Sequence, residues 1–401
     1  MKPAPSEVDL ARRWLLAASA GGAAAGVSGL SLPARAQTKS LPPVAAFKDA
    51  GSMIVHSANG VETRRSAFGA SSVTDADVLF LRNNASPPAE SVITDPDAWQ
   101  VQFDGVLKPG ALTVAELKRI GLAEVATVLQ CSGNGRGFFP HKPSGSPWTV
   151  GAAGNTLWSG VPVRDVVRML GGVQGGVRYM TSTGGETFPP GIDPKTVVVE
   201  RSVPWDELEN AILAWELNGR PIPLAHGGPL RLIIPGYYGV NNIKYVKRVA
   251  FTQDETVANI QRSGYRVRPV GEKGAPTQPS MWEMNLKSFV TNPSGSGQAL
   301  RAGPLQVHGV AFTGGSSPVG AVEVSTDGGK TWRAARFFGP DLGPHAWRQF
   351  VLPVTLQPGS YLITSRAIAA DGAIQPELRV ENERGYGHNG WRDHAVAVTV
   401  A

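Results

Sequence analysis

Glycine and proline break this chain 48 and 32 times in 401 residues, and that density of punctuation limits what it can build. Inside a helix a glycine costs about 1 kcal/mol relative to alanine and a proline about 3 kcal/mol. Long helices therefore give way to short strands, turns and irregular connections. Apolar residues at 42% and charged residues at 17% are proportions of a folded globular chain rather than a disordered one. The length allows two or three domains, and ten tryptophans offer large apolar anchors for cores and pockets.

Periodicity divides the chain in two. From about residue 76 to 265, strand-like and helix-like pieces follow one another irregularly. Trp99–Val106, Val125–Gln130 and Leu230–Pro235 read as strands, and Thr113–Ile120 and Val161–Leu170 as short amphipathic helices. Thr113 with Glu116 three residues on is a capping-box pattern. There is no strand–helix–strand rhythm and no glycine-rich phosphate loop, which argues against a dinucleotide-binding domain. Beyond about residue 275 the pattern is all strand: Leu305–Phe312, Val319–Ser325, Ala346–Val354, Gly359–Ala369 and His394–Val400. Asp327-Gly328-Gly329-Lys330 and Asp371-Gly372 mark turns between them. Size and spacing suit a sandwich of the immunoglobulin type. Residues 266–280 carry the Pro, Gly and Lys of a linker, and residues 37–75 read as an extended lead-in.

Residues 1–36 read as an address. Arg12 and Arg13 precede a weakly apolar Ala/Gly stretch that ends in Leu32-Pro33-Ala34-Arg35-Ala36. A charged start, an apolar middle and a small-residue end make an export signal, and the paired arginines point to the twin-arginine type that carries folded proteins. The expected destination is the periplasm; the alternative reading is an uncleaved membrane anchor. No other apolar run reaches spanning length, so no membrane span is expected in the mature protein.

Cys131 is the one cysteine. That rules out an internal disulfide, a Cys-X-X-Cys-His haem site and any multi-cysteine zinc or iron–sulfur site within these residues. An electron-transferring protein of this kind passes its electrons to a centre on another polypeptide. The formal net charge of +6, without a basic run interleaved with aromatics, does not mark a nucleic-acid binder. It is compatible with a small anionic substrate. Cys131 sits in Val128-Leu129-Gln130-Cys131-Ser132-Gly133-Asn134-Gly135-Arg136, where a strand delivers the sulfur into a Ser/Gly/Asn loop with an arginine five residues on. A nearby cation favours the metal-binding thiolate. On these residues alone, a metal ligand and an inert buried thiol both remain open.

Read together with the rest of the chain, this segment resembles the sulfite oxidase family of molybdenum enzymes. Phe80-Leu81-Arg82-Asn83-Asn84 is similar to an earlier Arg-Asn loop of that family, and Asn218-Gly219 through Gly239, with His226, Gly227, Arg231 and Pro235, to its cofactor-binding block. Asn242-Ile243-Lys244-Tyr245 and Gln261-Arg262-Ser263-Gly264-Tyr265 follow in the family's order. Val322–Trp332 and Asn382–Trp391 resemble its C-terminal dimerisation domain, so the likeness runs over roughly residues 75–400.

The resemblance implies an α+β molybdopterin-binding sulfite oxidase fold over residues 76–270, followed by an all-β immunoglobulin-like sandwich over 275–401 that pairs two chains as a homodimer. It implies a molybdenum–molybdopterin cofactor, with no haem in this chain, and Cys131 as the metal's thiolate ligand. His226, Arg231 and Lys244 would hold the cofactor's phosphate, as forked and point-charge cations do. Phe80, Asn83, Asn84, Thr183 and Asn242 complete the implied cofactor-binding positions; Thr183 stands where relatives carry an acidic residue. Arg82, Arg136 and Trp148 map onto the substrate pocket, Tyr265 onto the active-site tyrosine, and Arg384 offers a third cation from the C-terminal domain. Read singly, His226, Arg231, Arg384 and Tyr265 also suit ordinary structural roles. The implied reaction is sulfite to sulfate, with a separate c-type cytochrome as acceptor. Departures are Asn84 for a common histidine, a Pro-rich insertion at 137–147, and no N-terminal haem-b domain. A sulfane dehydrogenase subunit acting on carrier-bound sulfur, and a metal-free exported binding protein, are the alternatives; a methionine sulfoxide reductase is disfavoured by the C-terminal β domain.

Overall fold

The computed structural model describes residues 40–69, 71–188, 190–206, 210–295 and 297–401. The expected export signal at 1–36 lies outside them.

The catalytic half is built on two five-stranded sheets. In the first, Ala153–Pro162 is central, flanked by Ala123–Gln130 and Ile212–Leu217 in antiparallel register. Its small and apolar residues are buried on both faces, as a strand between two packed layers requires. In the second, Val246–Thr252 runs antiparallel to Tyr179–Gly184 and parallel to Gln100–Asp104. Two short helices, Val114–Ile120 and Val163–Met169, pack Val114, Leu117, Val163, Val166 and Val167 into the same core. Thr113 caps the first helix through the Glu116 amide while Glu116 closes back on Thr113, as the spacing predicts. The second begins later than expected, because Val161 and Pro162 still belong to the central strand.

Residues expected as an extended lead-in contain a hairpin, Met53–Ser57 with Gly60–Thr63, whose third strand is Leu81–Arg82. The stretch expected as a linker is anchored at its start, where Arg266 and Arg268 are buried, and exposed over residues 269–273. Arg266 is 3% exposed, donates to the carbonyls of Gln261 and Gln278, and pairs with Glu255.

The C-terminal half is a sandwich of two four-stranded sheets. Val319–Ser325 and Gly359–Ala369 form where expected, and Asp327 organises its turn by accepting from the amides of Lys330 and Thr331. Strand pleating lets this module serve two cores at once. Along Gly303–Phe312, Val307 and Ala311 face the interior of the sandwich, while Val310 and Phe312 face the catalytic half. Val290 and Phe289 divide in the same way. The shared core holds Phe289, Val310, Phe312 and Trp347 from the sandwich against Phe68, Val128, Val150 and Tyr238. Around it, Trp347 donates to the Ser72 carbonyl at 2.9 Å and the Val128 amide to the His345 carbonyl at 2.9 Å.

Candidate active site

Cys131 leaves the end of Ala123–Gln130 with its amide bonded to the Ala152 carbonyl at 2.9 Å. The loop that follows is pinned by Asn134, 1% exposed. Its side-chain amide donates to Gln130 Oε1 at 3.0 Å and the Val150 carbonyl at 3.2 Å, and its oxygen accepts from the Ala152 amide at 3.1 Å. Gly135 has φ of 98°, and a β-carbon there would strike His388, so the turn requires glycine. This geometry leaves Cys131 a free, partly exposed thiol on the wall of a cleft.

The same cleft is lined by Phe80, Arg82, Asn83, Asn84, His226, Arg231, Asn242, Lys244 and Tyr265. Ten of the positions singled out from the sequence, Cys131 included, therefore converge on one cavity. Four others do not line it. Arg136, 7% exposed, is held behind the cysteine loop, its guanidinium donating to the carbonyls of Arg384 at 2.8 Å and Ser146 at 3.2 Å and lying over the Tyr386 ring. Trp148 is fully buried, edge-on to His56 and Phe80. Arg384 is half-buried with its Nε unpartnered. Thr183 turns its hydroxyl to Glu200 Oε2 at 2.5 Å.

Three further residues escaped the sequence reading. Lys48 donates to the carbonyls of Ala76 and Leu79 and lies 2.6 Å from His226 Nε2, so the three hydrogens of its ammonium have three acceptors. His226 Nε2 also lies 3.2 Å from the Ala76 carbonyl. Ser132 and Glu186 line the cleft itself. Nothing local in the sequence marks Lys48 or Glu186; only the fold brings them in.

The electrostatics are those of a site awaiting an anion. Burial, then the neighbouring Lys48, Lys244 and Arg231, drives His226 well below its ordinary value. Burial and Arg231 do the same to Lys244, against an opposing pull from Glu186. Burial brings Lys48 down to about 7 and Arg231 to about 10. Cations packed together without water are unfavourable unless an anion joins them. Several buried polar atoms at the site also lack partners: Asn83 Nδ2, Ser132 Oγ, Glu186 Oε2 and Tyr245 Oη.

Among the described residues no three His, Cys, Asp or Glu side chains cluster as a metal site. A metal bound through Cys131 thus takes its remaining ligands from a cofactor. One thiol, a cluster of cations and a set of idle hydrogen-bonding groups on one cavity fit molybdopterin, a dithiolene that bears a phosphate and a polar pterin. Cys131 would hold the metal, and His226, Arg231 and Lys244, with Lys48 behind His226, the phosphate.

Comparison with known proteins agrees with this geometry. Residues 88–260 match the family description "Oxidoreductase molybdopterin binding domain" and residues 278–400 "Mo-co oxidoreductase dimerisation domain". Sulfite oxidase of Gallus gallus is 32% identical over 339 residues, 80% of this chain and 72% of that one. A nitrate reductase [NAD(P)H] of Hordeum vulgare is 30% identical over 67% of this chain, which spans 32% of that longer protein. The crystal structure of the sulfane dehydrogenase SoxCD from Paracoccus pantotrophus shares the fold with a TM-score of 0.72 at 24% identity, covering 93% of this chain and 96% of that one. The chain belongs to the sulfite oxidase family of molybdenum enzymes and is a molybdopterin-dependent oxidoreductase.

Proposed function

We propose that this enzyme is a periplasmic sulfite dehydrogenase that oxidises sulfite to sulfate and passes two electrons, one at a time, to an external c-type cytochrome. The observation that carries this reading is the convergence of Arg82 and Tyr265 on the cavity wall that bears Cys131, with Arg136 and Arg384 directly behind the cysteine loop. When bound, the molybdenum cofactor supplies the oxygen transfer and the two-electron redox change. The chain supplies the rest. Arg82 offsets the charge of an oxyanion entering the cleft, and the Tyr265 hydroxyl offers it a hydrogen bond. Arg136 keeps the cysteine loop and the C-terminal Arg384 segment together. The balance is sulfite plus water to sulfate, two protons and two electrons.

The twin-arginine-type start at Arg12 and Arg13 supports folded export, and the dimerisation-domain match supports a homodimer. No helix among the described residues is long and apolar enough to cross a membrane. Purified, molybdenum-loaded protein should reduce ferricyanide with sulfite, and the Cys131→Ser variant should not. Absence of activity in protein carrying one molybdenum per chain would remove free sulfite as the substrate and point to carrier-bound sulfur.

A further inference from the structure

Tyr265 follows the short helical turn Ile260–Gly264 and reaches the cavity wall. Its amide bonds to the Ile260 carbonyl at 3.2 Å, and its carbonyl accepts from the Met281 amide at 3.0 Å. Main-chain bonds alone do not orient a ring, and two side chains do that here. Buried Arg201 lies over the Tyr265 ring at 5.7 Å. Tyr386 stacks on it, with centroids 5.1 Å apart and planes inclined by only 10°. The Tyr386 hydroxyl also reaches the carbonyl of Gly264, the residue before Tyr265, at 3.5 Å.

Tyr386 comes from the other half of the molecule, and its own turn is closely held. Asn382, 2% exposed, accepts from the Tyr386 amide and donates to the Tyr386 carbonyl, both at 2.9 Å. Gly385 and Gly387 flank it at φ of 60° and 66°, a region that favours glycine. The Gly387 amide donates to the carbonyl of Ser132, the neighbour of Cys131, at 2.9 Å, while the Arg384 carbonyl accepts from Arg136. One turn of the sandwich thus holds the cysteine loop at two points and the Tyr265 ring at a third. Tyr386 is not among the residues that line the cleft. Burial pushes its hydroxyl up to about 12, so it exchanges no proton near neutrality.

We propose that Tyr386 is a positioning residue that sets the Tyr265 ring in register with Cys131, so that the sandwich completes the substrate pocket. The proposal rests on the reading of Tyr265 as the group that offers the oxyanion a hydrogen bond. Such a donor works best when aligned in advance, and a misplacement of about 1 Å can cost about 100-fold in rate.

The test compares molybdenum-loaded wild type with Tyr386→Phe, Tyr386→Leu, Tyr265→Phe and the Tyr265→Phe/Tyr386→Leu double variant, with rates taken per bound molybdenum. Phenylalanine keeps the stacked ring, so Tyr386→Phe should stay close to wild type. Tyr386→Leu should lower kcat/KM for sulfite by about 10- to 100-fold. In Tyr265→Phe, which already lacks the hydroxyl, the same change should cost less than about twofold. Fluorotyrosine labelling reads the ring itself, since the chain has only seven tyrosines and Tyr265→Phe identifies the signal. That resonance should shift and broaden in Tyr386→Leu and keep its place in Tyr386→Phe. An equal cost of Tyr386→Leu in both backgrounds would overturn the proposal, and so would an unmoved Tyr265 resonance. Full activity in Tyr265→Phe, or a wild type inactive on sulfite, would instead overturn the role given to Tyr265. The fluorine spectrum would still decide whether Tyr386 holds the ring, so the two failures are told apart.

Discussion

Lys48, Lys244 and Arg231 lie where water barely reaches, and each is paired mostly with backbone carbonyls or amide oxygens rather than carboxylates. Such cations are stabilised only in part by neutral oxygens and remain available to an anion. Arg82 stands apart from them, because it reaches the Asn83 carbonyl while keeping donors free for substrate. Arg82→Met should therefore lower kcat/KM for sulfite by about 100-fold. Most of the change should appear in KM, with molybdenum content unaltered; steady-state kinetics beside metal analysis decides it, and a loss confined to metal content would reassign Arg82 to cofactor binding. The cleft's sequence signals were strong where several residues act in one short stretch, as in Arg82-Asn83-Asn84 or Asn242-Ile243-Lys244. They failed for Lys48 and Glu186, single residues of common type whose role comes from distant contacts, Lys48 meeting His226 across 178 positions.

At the scale of elements, the loop from Cys131 to Arg136 owes its shape to one side chain. Asn134 joins it to Gln130, Val150 and Ala152, and no other residue type offers two donors and an acceptor at that length except glutamine, which is too long. Asn134→Ala should cost about 3 kcal/mol of stability, because its buried partners Gln130, Val150 and Ala152 lose their bonds. It should also lower the molybdenum content, since the thiol is no longer fixed. Chemical denaturation and metal analysis check both parts, and full metal loading in a destabilised variant would show that the loop holds its form without Asn134. Elements with clear periodicity were legible from sequence: Val319–Ser325 and Gly359–Ala369 alternate, and the capped helix after Thr113 carries its own start signal. The hairpin at Met53–Thr63 was not. Its strands are only five and four residues long, and in Gly60–Thr63 even Glu62 and Thr63 are buried, so no alternation shows. Glu62 is satisfied inside by His56 across the hairpin and by the amides of Thr149 and Gly151, the latter two contacts existing only once the cysteine-bearing layer is in place. The anchoring at the start of the linker was missed for the same reason: buried arginines such as Arg266 read as surface residues until their carbonyl and carboxylate partners are known.

Across the whole molecule, the shared core makes the two halves one cooperative unit, and the buried basic groups lie on both sides of it. Phe289, fully buried there, should cost about 3–5 kcal/mol when cut to alanine. Calorimetry should then show one transition moved as a whole, whereas a second, unshifted transition would mean that the halves melt independently. The titrating groups add a pH dependence of definite sign. Burial lowers His388 to about 4 and drives His226 and His394 well below their ordinary value. Between pH 7 and 5 the unfolded chain therefore takes up protons at these histidines that the folded chain refuses. Each such proton costs stability at up to about 1.4 kcal/mol per pH unit. Glu186 works the other way, since its raised value lets the folded state hold a proton the unfolded state has lost. Three histidines outweigh one glutamate, so the cofactor-free protein should melt lower as pH falls from 7 to 5. Above pH 7 the lysines continue the trend: Lys48 and Lys287 sit near 7 when folded, so stability should go on rising toward their ordinary value. Bound cofactor changes only one end of the molecule. Its phosphate would favour charged His226, Lys48 and Lys244, while His388 and His394 lie beyond its reach behind the cysteine loop. The loaded enzyme should accordingly lose less on acidification than the cofactor-free protein, yet still lose some. Melting curves of both forms from pH 5 to 8 measure the difference. Equal slopes would mean that the cofactor's anion does not meet the His226 cluster, and a rising melting temperature on acidification would mean that the buried histidines are charged in the folded state.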